Sequence, residues 1–152
     1  MRPFPSLKCR GIATIELALA LPVILMVLMF LLLAGSLHYK YEVAQKAARN
    51  ASRYLSSVSK LDMKNPAQIG YHTALARAMI ESELSAVSST PYPPTITIIC
   101  GAAYCDGYSL PATVTVTIRI LAVDTLFGGF TSNWIGGDFL LVSSATMAYA
   151  GT

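Results

Sequence analysis

Charge is scarce in this chain. Asp, Glu, Lys and Arg make up 12% of its 152 residues, against ~25% in an ordinary soluble protein. That shortage fits a membrane-tethered chain. Histidine is scarcer still, with His38 and His72 on different segments. No metal-ligand spacing appears, and no nucleophile sits in a recognisable elbow or phosphate loop. The reading is therefore no catalytic residue, no metal and no cofactor. Basic residues interleaved with aromatics are also lacking, so no nucleic acid is directly implied as a partner. No internal repeat is present. Of the three cysteines, Cys9 stands near the N-terminus, and Cys100 and Cys105 lie close together in the C-terminal half. That pair reads either as a disulfide, implying an oxidising compartment, or as two small buried thiols.

What charge there is, is unevenly placed. Arg2, Lys8 and Arg10 precede a long apolar run with no acid among them. Lys40, Lys46, Arg49, Arg53, Lys60 and Lys64 follow it, against Glu42 and Asp62. Beyond Pro91 the charged residues are Asp106, Arg119, Asp124 and Asp138. From Gly11 to Leu37 the single charged side chain is Glu16. A carboxylate deep in a membrane costs ~3 kcal/mol on insertion scales, so such a residue usually has a partner and a role.

Leu17 to Leu37 is long enough, at ~1.5 Å per residue, to cross a hydrocarbon core of ~30 Å. Pro22 interrupts it and predicts a kink or a locally melted turn. Three processing fates compete. A signal peptide has the basic start and a small-residue site at Ala34-Gly35-Ser36, but its apolar stretch is normally shorter. A plain single-pass anchor has no use for Glu16. The third is a leader cut just before the apolar helix. A lipoprotein site at Cys9 is set aside, because no apolar stretch precedes it. Counting basic residues on the two flanks leaves the orientation open.

Gly11-Ile12-Ala13-Thr14-Ile15-Glu16, a basic leader before it and Leu17-Ala18-Leu19-Ala20-Leu21-Pro22 after it together resemble the processing region of type IV pilin-like proteins. The text is closer still to TadE-like pseudopilins of the Tad (Flp) pilus system, with Leu17 where that family often has phenylalanine. The stretch Tyr39 to Tyr54 resembles the family's post-membrane helix. The motif does not separate TadE-like from TadF-like members. The resemblance implies cleavage between Gly11 and Ile12 by a prepilin peptidase. It also implies an inner-membrane assembly platform, the major pilin and other minor pilins as partners, besides membrane lipid. Glu16 would become the fifth mature residue, able to pair with the new Ile12 amine of a neighbouring subunit. The chain would lie in the bacterial inner membrane, N-terminus cytoplasmic and C-terminal domain periplasmic, or pass into the extracellular pilus. The competing reading is an uncut, single-pass anchor holding an envelope-binding or sensor domain, in which Glu16 is an interfacial glutamate.

The remaining sequence predicts an α+β fold. One continuous helix is expected from about Ile12 to Ser59, its first half membrane-spanning. Ala44, Ala47, Ala51, Leu55 and Val58 form an apolar stripe in its second half, opposite Lys46, Arg49, Asn50 and Arg53. Asn65-Pro66-Ala67-Gln68 predicts the start of a second amphipathic helix, with Gln68 as capping-box partner. Its stripe is Ile69, Ala76, Met79, Ile80, Leu84 and Val87, with Arg77 and Glu81 as an exposed i,i+4 pair and His72 beside the stripe as a structural residue. Ser88 to Pro94 reads as a stiff connector. Thr95–Cys100, Thr113–Ile120 and Phe139–Tyr149 alternate as strands, giving a small antiparallel sheet of about three strands, covered on one side by the helices. A Cys100–Cys105 bond would close the turn between the first two. The glycine-flanked loop bearing Phe127, Phe130 and Trp134 is a candidate docking surface, or packs on the sheet edge. The expected divisions are a cleaved leader at 1–11, a membrane helix at 12–37, extracytoplasmic helices at 38–90 and a β-rich head at 91–152.

Overall fold

The computed structural model of the chain describes residues 12–87, 92–123 and 139–151. It is α+β, with helices α1 (Ile12–Ser56), α2 (Lys60–Met63) and α3 (Pro66–Leu84). The strands are β1 (Thr95–Cys100), β2 (Ala103–Tyr104), β3 (Thr113–Ala122) and β4 (Phe139–Ala148). By its contacts the chain forms two compact units, Met1–Ser36 and Leu37–Thr152.

In the first unit, α1 runs on through Pro22 without a non-helical residue, so the alternative of a melted turn is not realised. Every large apolar side chain from Ile15 to Leu32 is exposed, at 41% to 73%. A helix apolar all round has no core of its own to face and is a candidate membrane span. α1 is long and apolar enough to cross a membrane.

In the second unit α1 ends at Ser56, short of the expected Ser59. Ser52, Ser56 and Ser57 each donate a side-chain hydrogen bond to the carbonyl three residues back. Such local bonds compete with the helical ladder. Ser57 N–H then reaches Tyr54 O and Val58 N–H reaches Leu55 O, a tightened last turn. Ser59 is free to cap the short helix α2, accepting from Asp62 N–H at 3.1 Å and donating to Asp62 Oδ2 at 2.9 Å.

α3 begins as the sequence predicts. Asn65 caps it, its Oδ1 accepting from Ala67 N–H at 3.0 Å, and Pro66 takes the first turn, where its missing N–H costs nothing. The reciprocal bond from Gln68 is not the one made: Asn65 N–H donates to Asp62 O at 3.1 Å. The close approach of α2 supplies the acceptor that a capping box would otherwise provide.

The sheet is antiparallel, in the order β2-β1-β3-β4. Its fourth strand, β2, was not expected. Gly101 at φ +72 opens a two-residue turn that sends Ala103 back against Cys100. The disulfide Cys100–Cys105 therefore clamps the β1–β2 hairpin, not the connection from β1 to β3. Ile96, Ile98, Val114, Val116, Ile118 and Ile120 are buried on one sheet face. Ala44, Ala47, Ala48, Ala51 and Leu55 of α1, and Ile69, Ala76, Ile80 and Leu84 of α3, complete the same core. Each fully buried Leu or Ile contributes about 1.5–3 kcal/mol. Ser143 is buried too, satisfied by donating to Gln45 Oε1 at 2.5 Å. The other sheet face is a polar ladder, with Thr115 bonded to Thr146 at 2.9 Å and Thr117 to Ser144 at 3.2 Å. The chain end is tied down by Tyr149 O–H to Val58 O at 2.8 Å and Ala150 N–H to Ser56 O at 3.0 Å.

Candidate functional site

The residues singled out for assembly lie at the start of α1. Gly11 is outside the described residues. Ile12 opens the helix, and Glu16 follows four residues later, about 6 Å along the axis at ~1.5 Å per residue. Glu16 is exposed, between Ile15 at 63% and Leu17 at 61%. The arrangement is thus one carboxylate on a helix that is otherwise an apolar surface from Ile15 to Leu32. Such a surface suits lipid or the matching helix of another chain. A carboxylate in such a surface is costly unless it meets water or a cation.

The candidate docking residues Phe127, Phe130 and Trp134 lie outside the described residues. Cys100 and Cys105 are bonded, with Cα atoms 4.9 Å apart.

The polar residues of the second unit hold it together. His72 Nδ1 meets the Tyr54 hydroxyl at 2.7 Å, and its Nε2 lies 3.8 Å from Asp62 Oδ2. Tyr71 packs edge-on to the same imidazole, ring centres 5.7 Å apart. His72 so joins α1, α2 and α3. Burial, then the nearby Tyr71, push the Tyr54 phenol above its usual range; burial, then Asp62, do the same to Tyr149. The expected Arg77–Glu81 pair is not formed. Arg77 Nη2 instead reaches across to Ile96 O of β1 at 3.5 Å. On the polar side of α1, Asn50 Nδ2 donates to Glu83 Oε1 of α3 at 2.9 Å. Among the described residues no three His, Cys, Asp or Glu side chains gather as a metal site would require.

Sequence reasoning missed α2 and its cap. The signal was present in Ser59-Lys60-Leu61-Asp62, a Ser-x-x-Asp start pattern. Nothing in the sequence pattern pairs Tyr54 with His72, because they sit on separate helices.

Residues 11–53 match the family model of TadE-like proteins. No curated protein and no solved structure matches the chain.

Proposed function

From this TadE-like segment, consistent with a minor pilin of the Tad system, we propose that the chain is a structural, non-catalytic minor pilin or pseudopilin. In this reading a prepilin peptidase cuts between Gly11 and Ile12 and releases the leader 1–11. The helix 12–37 stays in the bacterial inner membrane, N-terminus inward. Residues 38–90 and 91–152 form the periplasmic helices and head. The chain then joins, or starts, a pilus with the assembly platform, the major pilin and other minor pilins.

The observation that carries the reading is the exposed Glu16 on an apolar helix, one turn after Ile12. Cleavage would create an ammonium group at Ile12. A neighbouring helix offset along its axis would bring that ammonium to Glu16. Burying both charges together offsets much of the cost of burying either one alone. The pair then fixes the axial register of subunits.

The direct test is N-terminal sequencing of the protein from membranes. The expected start is Ile12. Gly11→Leu should abolish the accompanying mass loss of about 1 kDa on a gel, at ~110 Da per residue for a leader of this length. An intact Met1 with and without the peptidase, or a start at Leu37, would reject the reading, the former in favour of an uncut anchor.

A further inference from the structure

In the Leu37–Thr152 unit, β4 and α1 are tied together at two levels. Gln45 Oε1 accepts from Ser143 Oγ at 2.5 Å, and Gln45 Nε2 donates to Ser144 O at 3.5 Å. Farther along the helix, Ser56 O accepts from Ala150 N–H at 3.0 Å. The two ties are about 17 Å apart along the helix at ~1.5 Å per residue, and about 20 Å apart along the strand at ~3.3 Å. β4 therefore runs beside α1 in the same sense. Followed back from the first tie, the helix reaches His38 in about 10 Å and the strand reaches Leu140 in the same distance. Leu140 is thus level with the first turn of this unit.

That end is where the apolar run enters, since Leu37 closes the run and opens the unit. The side chains exposed there differ from those farther out. Even-numbered residues of β4 share the outer face of the sheet. At the far end this face carries the hydroxyl pairs Thr115–Thr146 and Thr117–Ser144. Toward Leu140 it turns apolar. Leu140 is 61% exposed and Val142 46%, and their register partners are Leu121 and Arg119. At the same level of α1, Tyr39 is 61% exposed and Tyr41 36%. Exposed aliphatic side chains beside tyrosines and an arginine make the composition of a surface at the water–lipid boundary.

We propose that the Leu140 end of the sheet rests on the lipid surface at which the apolar run ends, with Leu140 at headgroup depth, Val142 shallower and Arg119 beside the phosphates. The headgroup layer is about 5–7 Å thick on each side of the hydrocarbon core. Leu140, level with His38, falls inside it. Val142, two residues farther at ~3.3 Å each, lies at its outer limit, and Ser144 clears it. The outer face of the sheet is then divided by depth, its apolar part meeting lipid and its hydroxyl ladder meeting water. Lipid is the occupant because the patch stands at the level where the apolar run stops, and because Tyr39 and Tyr41 mark that same level on α1. The proposal rests on α1 spanning a membrane, which the cut and uncut readings share, and not on cleavage.

The test uses the full chain with Cys9→Ser, its Cys100–Cys105 bond intact, in vesicles of phosphatidylethanolamine and phosphatidylglycerol. A nitroxide is attached, one position at a time, through Val27→Cys, Leu140→Cys, Val142→Cys, Ser144→Cys or Thr146→Cys, all exposed positions. Its collisions with oxygen, which concentrates in lipid, are compared with those of a nickel chelate, which stays in water. The oxygen-to-nickel ratio is expected to be highest at Val27 and several-fold higher at Leu140 than at Thr146. It should fall in the order Leu140, Val142, Ser144. Equal ratios at Leu140 and Thr146 would overturn the proposal, as would a label at Leu140 shielded from both reagents by protein. A ratio at Val27 that favours nickel would remove the membrane span and the proposal with it. The processing test reads the N-terminus and this one reads depth, so the two can fail separately.

Discussion

Replacing Gly107 by alanine should damage the head far more than the same change at Gly101. Both glycines have positive φ, +81 and +72. Forcing an alanine into that region costs about 1–2 kcal/mol at either site. Only Gly107 adds a collision. Its Cβ would lie 2.7 Å from the Cα and N of Pro66 and 2.9 Å from the Asn65 carbonyl carbon. These are backbone atoms held by the Asn65 cap, so the chain from Cys105 to Tyr108 must move off α3 instead. Relieving such an overlap costs about a further 1–3 kcal/mol. At Gly101 the added carbon meets nothing within 4 Å. The expected losses are therefore about 2–5 kcal/mol for Gly107→Ala and about 1–2 kcal/mol for Gly101→Ala. The measurement is urea unfolding of the full chain in nonionic detergent micelles, followed by hydrogen exchange of the β3 amides. Equal losses at the two sites, or a larger loss at Gly101, would refute the close approach.

Further outcomes follow from the same contacts. Replacing Cys100 and Cys105 by serine opens a loop of sequence separation 5 and should cost about 2 kcal/mol in the same unfolding measurement, with the reductant sensitivity of the parent chain gone. Leu55→Ala empties a site that is 0% exposed and should cost about 3–5 kcal/mol; a loss below about 1 kcal/mol would show that α1 does not cover the sheet tightly. Burial raises the Tyr54 and Tyr149 phenols above 10.0, so the fold favours their neutral forms. That stability is fully present below pH about 10 and lost as pH rises through the folded values. Tyr54→Phe should accordingly flatten the fall of Tm between about pH 9 and 11, and an unchanged slope would count against burial as the cause.

Local signals in the sequence were legible where one physical effect dominated. Asn65-Pro66 names a helix start because cap and fixed φ act within three residues. Thr113 to Ile120 names a strand because threonine and aliphatic side chains alternate for its whole length, and β3 buries the aliphatic set. Features set by two distant segments were not legible. Gln68 had the right spacing for a capping box, but Asp62 O reached Asn65 N–H first. Arg77 and Glu81 had helical pair spacing, yet Ile96 O, nineteen residues away, drew the guanidinium across. β2 spans only Ala103–Tyr104, too short for any periodicity to register. Its existence depends on Gly101 and on a disulfide that the spacing of Cys100 and Cys105 allowed without requiring.

The same helix meets two different environments, and this bears on Glu16. In the Leu37–Thr152 unit α1 buries one stripe, from Ala44 to Leu55, and carries Lys46, Arg49 and Arg53 elsewhere, as a helix on a water-facing domain should. Among the described residues from Ile15 to Leu32 no such division exists. Large apolar side chains from Ile15 to Leu32 are exposed on every side, and no polar face is set aside on which a carboxylate would be cheap. Glu16 therefore cannot be explained as the wet side of an amphipathic helix. Two physical explanations survive, headgroup water at the membrane edge and a cation from outside this helix. They make different demands on the bond between Gly11 and Ile12. Water at the edge is there whether or not that bond is cut. A cation at fixed distance one turn away requires the cut, because only the cut creates the Ile12 ammonium that a neighbouring copy would present.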